Sequence, residues 1–79
     1  MNSVFLKTVT GLLAAYGFSV QAEDREQRKI RFASRKTFMD IWDGKKGITI
    51  GVYNPATGRM RYERRVGEER IEEIVSKIK

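Results

Sequence analysis

Apolar side chains recur at helical spacing near the start of the chain. Phe5, Val9, Leu12, Leu13 and Tyr16 fall on one side, with Lys7, Thr10, Gly11 and Ala14 opposite, so residues 3–16 are predicted to form an amphipathic helix. Gly17 is placed to end it in the left-handed conformation that glycine adopts at no steric cost. From Phe18 the period drops to two. In FSVQA, Phe18, Val20 and Ala22 alternate with Ser19 and Gln21; EDREQ is a polar turn; RKIRFA sets Ile30 and Phe32 against Lys29 and Arg31. SRKT interrupts the pattern. FMDIW is apolar on both sides, so either Phe38 and Trp42 or Met39 and Ile41 form its exposed pair. Asp43-Gly44 signals a hairpin, ITIGVY sets Ile48, Ile50 and Val52 against Thr49, Gly51 and Tyr53, and NPATG is a second turn. In RMRYERRV, Met60 and Tyr62 read as inward, with Arg59, Arg61, Glu63 and Arg65 outward and Arg64 turned away from them. Ile71, Ile74, Val75 and Ile78 make the apolar stripe of a helix over 68–78, entered through a Gly67 cap and a Val66–Ile71 staple.

The pattern predicts an α+β fold in two layers: an antiparallel meander of four to five strands, with an N-terminal and a C-terminal helix on one face. Residues 1–79 read as one small domain. The other sheet face then meets water, and the period of two decides what stands on it.

Charge sharpens that picture. The net charge is +6, yet residues 1–24 and 66–79 are each slightly acidic. Residues 25–65 hold twelve basic groups against Glu26, Asp40, Asp43 and Glu63, so the excess lies in the strands. Concentrated positive charge with aromatic neighbours is the footprint of a nucleic-acid binder. Arginine and lysine neutralise phosphates, and rings stack on bases. The candidate contacts are Lys29, Arg31, Arg35, Lys36, Trp42, Lys45, Lys46, Tyr53, Arg59, Arg61 and Arg65. Small residues such as Thr49 and Gly51 are expected to let a nucleic-acid backbone approach. DNA is favoured over RNA, with low sequence specificity. The alternative is a protein–protein interaction module, such as a viral or plasmid-encoded inhibitor or adaptor, acting on an acidic partner surface; a homodimer is left open.

Composition removes other chemistry. The chain has no Cys and no His, so disulfides, thiol catalysis and zinc fingers are excluded, along with the commonest general base. Asp43-Gly44-Lys45, with Asp40 or Asp24, has the spacing of a Mg²⁺-dependent nuclease core, but Asp-Gly is foremost a turn former. No enzyme and no cofactor are expected. The N-terminal run carries its lysine inside and is broken by Thr8, Thr10 and Gly11, which argues against a secretory leader. It is also too short and polar for a bilayer. A cytoplasmic protein without a membrane partner is the expectation.

GKKGITIGVYNPATGRMRYERR, from Gly44 to Arg65, resembles the DNA-binding hairpin of small crenarchaeal chromatin proteins, which share its glycine–lysine lead, its Pro-x-Thr-Gly turn and its basic second strand. Those proteins have SH3-like barrels and lack a helix like 3–16. The resemblance implies minor-groove contacts from the sheet, with Trp42 and Tyr53 near the duplex. The helix–sheet–helix order is also similar to the double-stranded RNA-binding domain, but Glu68-Glu69 stands where that family has phosphate-gripping lysines.

Overall fold

The computed structural model describes residues 3–44 and 46–78, with side chains from Lys7 onward. The Lys45 contact and the inward Phe5 side chain lie outside the described residues. Helix α1 (Ser3–Ala15) leads into β1 (Ser19–Asp24), β2 (Lys29–Ala33), β3 (Phe38–Gly44), β4 (Gly47–Asn54) and β5 (Arg59–Val66), and α2 (Glu68–Ile78) follows. The five strands form one antiparallel sheet in chain order, leaving β1 and β5 as its edges. The sheet is therefore open, not the barrel of the chromatin proteins.

Both helix boundaries follow from local chemistry. At the end of α1, Phe18 N–H donates to the Leu13 carbonyl and Gly17 N–H to that of Ala14, with Gly17 at φ 86°. This double closure satisfies two carbonyls that a helix end otherwise leaves unpaired. It also delivers Phe18 into the core beside Leu13. At the start of α2, the Gly67 carbonyl accepts from Ile71 N–H, and Val66 and Ile71 are both buried, as a hydrophobic staple requires.

The core lies between the helices and one face of the sheet. Val9 and Leu13 of α1 and Ile71 and Val75 of α2 pack with Ile30, Phe32, Met39, Ile41 and Ile50. Each such side chain contributes about 1.5–3 kcal/mol by leaving water. Burial of Met39 and Ile41 settles the open register of β3: Phe38, Asp40 and Trp42 stand on the other face.

Two bulges modify the simple alternation. In β1 the register shifts between Val20 and Ala22, so Ala22 pairs with Arg31 on the open face, not with the core as period two predicts. In β5, Thr49 pairs with Arg64 while Ile48 pairs with Val66, leaving Arg65 as the extra residue at φ 56°. A bulge residue in this left-handed conformation is usually glycine, because a Cβ is strained there. Arg65→Gly is therefore expected to raise stability by about 0.5–1 kcal/mol. A urea titration that instead shows a loss would mean the Arg65 side chain stabilises the bulge.

Among the described residues, no helix is long and apolar enough to cross a membrane.

Candidate nucleic-acid interface

The sheet face away from the helices is built as three cross-strand rows. One runs Ala33, Phe38, Tyr53, Met60; the next Arg31, Asp40, Gly51, Tyr62; the third Lys29, Trp42, Thr49, Arg64. Residues paired across antiparallel strands point to the same side, so each row is a line of neighbouring side chains.

The rows carry four aromatic rings. Phe38 and Tyr53 stack with centroids 4.8 Å apart and planes 12° from parallel. Trp42 and Tyr62 meet at 5.9 Å with a 50° tilt. Their contact crosses β4, and Gly51 makes it fit: a Cβ there would lie 2.8 Å from the Tyr62 ring. The absent side chain thus makes room for Tyr62, not for the backbone of a ligand. Tyr62 is 59% exposed, a large ring offered to solvent.

Cations are threaded among the rings. The Arg31 guanidinium lies 4.3 Å from the Phe38 centroid, and Lys29 Nζ lies 5.8 Å from that of Trp42. Arg31 also donates to both oxygens of Asp40, Nε to Oδ1 at 2.7 Å and Nη2 to Oδ2 at 3.0 Å. Asp40 is 3% exposed and sits in the middle of the face. Its hydrogen bonds, more than the Coulomb attraction, hold Arg31 above the usual arginine range against the opposing effect of burial. Asp40 is therefore committed to Arg31, and no cluster of potential metal-ligating groups occurs among the described residues.

The margins come from turns. Arg35 and Lys36 form the exposed tip between β2 and β3. Ser34 Oγ accepts from the N–H groups of Lys36 and Thr37, and the Thr37 hydroxyl donates to the Tyr53 carbonyl, which ties the tip to β4. Lys46 is exposed in the β3–β4 turn at the opposite end.

Lys29, Arg31, Trp42 and Tyr53 thus stand together on the open face, with Arg35, Lys36 and Lys46 at its ends. Arg59 and Arg61 do not join them. Arg61 is paired with Val52 and Glu63 with Ile50, which puts both on the helix side. Arg59 shares their parity. Glu63 accepts from Arg70 of α2 at 2.6 and 3.0 Å, and that hydrogen bonding lowers its carboxyl below the usual range. It does not serve to relieve an arginine row on the open face. Arg65 belongs to the bulge. The inward reading of Met60, Tyr62 and Arg64 is reversed for the same reason: all three stand on the open face.

The cause lies in two local features. Val66 is inward, and strict alternation back from it carries Arg64, Tyr62 and Met60 inward too; the bulge at Arg65 breaks that inference. The turn held a usable signal. Asn54 pairs with Arg59 across four residues, so Met60 must share the face of Tyr53.

No protein-family model matches the chain, and neither the curated proteins nor the solved structures hold a significant match.

Proposed function

We propose that the protein binds single-stranded nucleic acid on the open face of its sheet, stacking bases on Trp42 and Tyr62. Lys29 and Arg64 flank these rings, and Arg35, Lys36 and Lys46 meet phosphates at the ends. One observation carries the reading: four aromatic rings occupy one solvent-facing sheet surface with cations beside them. Rings accept any base face, so such a surface binds with little sequence preference. The preference for DNA is carried over from the resemblance of residues 44–65 to a DNA-binding hairpin, but its duplex minor-groove mode is not, because Arg61 and with it Arg59 face the helix side. Stacking takes the leading role because Asp40 already neutralises Arg31 at the centre of the face, leaving fewer cations there than the net charge suggests.

Trp42 is the only tryptophan, so its fluorescence reports on the face directly. Titration with oligothymidylate at low salt is expected to quench it to saturation. Affinity should fall with salt along a log–log slope of about −2 to −3, the release expected from three or four phosphate contacts on a single strand. Oligouridylate of equal length should bind more weakly. Absence of quenching at low salt, or an affinity indifferent to salt, would overturn the proposal.

A further inference from the structure

A second surface lies on the other side of β5. As an edge strand, β5 has one side of its backbone unpaired with any strand. A groove of about 1010 Å³ runs beside it, walled by Ile74, Lys77 and Ile78 of α2. Side chains from both faces of β5 line it, Arg59 and Arg61 on one and Met60 and Tyr62 on the other, so the groove wraps the strand edge. Its Glu63–Arg70 pair is internally balanced. Arg59, Arg61 and Lys77, with Lys36 at the groove's end, remain as positive charge around a partly apolar floor that includes Val52.

We propose that this edge captures an extended acidic segment of a protein partner, which adds to the sheet as a sixth strand. Strand addition gives affinity through main-chain hydrogen bonds and specificity through alternate side chains. The partner's carboxylates would face Arg59, Arg61 and Lys77, where opposite charges across strands are favourable, and their methylene stems would cover Ile74 and Ile78. The intervening side chains would lie beside Met60 and Tyr62 and are apolar. A second copy of the chain fits poorly. Its β5 would bring four more arginines with a single glutamate that Arg70 already holds. Its other edge, β1, is interrupted by a bulge.

The probe is a fluorescein-labelled nine-residue peptide alternating glutamate with valine, followed by anisotropy. Saturable binding is expected, with hydrogen-exchange protection appearing at the alternate amides of residues 59–63 that point away from β4. The Arg59→Glu, Arg61→Glu double variant, shown folded by circular dichroism, should bind at least tenfold more weakly. It should keep Trp42 quenching by oligothymidylate within about threefold, since both positions lie off the open face; the tenfold criterion corresponds to ~1.4 kcal/mol of binding free energy. A peptide with the same side chains but N-methylated amides should not bind. The proposal is overturned by no saturable binding, by equal binding of the N-methylated peptide, or by a protein that sediments as a dimer with the outward-pointing amides of residues 59–63 already protected.

Discussion

Replacing Tyr62 with alanine is expected to weaken oligothymidylate binding by about tenfold to a hundredfold while leaving the fold intact. The magnitude follows from the stacking of one base on one ring, worth ~1–3 kcal/mol by alanine substitution. The small stability effect follows from exposure: at 59%, Tyr62 has most of its surface in water already. Gly51→Ala approaches the same ring from beneath. Its new Cβ would collide with Tyr62 and also lie 3.2 Å from the Met60 methyl, so the ring must swing away from Trp42. Because Tyr62 is free to move outward, the displacement costs little stability but removes the paired platform. Both variants should therefore lose affinity with near-normal unfolding curves. Anisotropy of a labelled oligothymidylate, read beside urea titrations, separates the two effects. Unchanged affinity in Tyr62→Ala would refute stacking on this face.

These expectations differ from those suggested by charge alone, and the difference shows what the chain discloses. The helices were legible because their stripes, glycines and caps are contiguous in sequence; α2 spans the predicted residues, and α1 ends one residue early. The meander was legible from its turns. The composition of the open face was only half legible, because each strand's alternation is defined only up to inversion. Lys29 and Arg31 were placed correctly since Ile30 and Phe32 leave no alternative. In β5 every inward candidate had a polar neighbour, and the sole firm apolar anchor, Val66, lay beyond a bulge formed by an arginine where glycine is usual. A strained residue of the wrong type leaves no mark in a hydropathy pattern. The role of Gly51 was invisible for a related reason: what fills its space comes from Tyr62, eleven positions away, and only the register brings them together.

The corrected register divides the basic strand between two tasks. Arg64 is left with the aromatic face, while Arg59 and Arg61 turn toward α2. The proposed surface for bases and the proposed edge for an acidic strand then lie on opposite sides of the same element, and both include Tyr62 at the boundary. If both proposals hold, a partner strand on β5 would change how Tyr62 meets a base, linking the two ligands through one ring.

Arg31→Ala is expected to be strongly destabilising for a change on the open face. Asp40 keeps only 4% of its side chain exposed, and Arg31 supplies both of its ionic hydrogen bonds. Stripping a buried carboxylate of its partner costs about 3–5 kcal/mol in a dry interior, because the desolvated charge has nothing to offset it. Arg31 itself is 36% exposed, so water can enter the space it leaves, and the expected cost falls to about 2–3 kcal/mol. That is a large share of a stability on the order of 5–10 kcal/mol for a small domain. The reverse deletion should be milder. In Asp40→Leu the orphaned guanidinium can turn out into water, and leucine fills the buried site. Combining Arg31→Ala with Asp40→Leu should recover most of the loss, since apolar replacement of a buried pair is often close to neutral. Urea titration of the three variants closes the cycle, and an Arg31→Ala loss below about 0.5 kcal/mol would show that Asp40 does not depend on its partner. The recovered double variant also tests function apart from folding. It keeps the sheet but has no guanidinium over Phe38, so weakened oligothymidylate binding in that background would show that the Arg31 guanidinium itself contributes to the proposed base contacts.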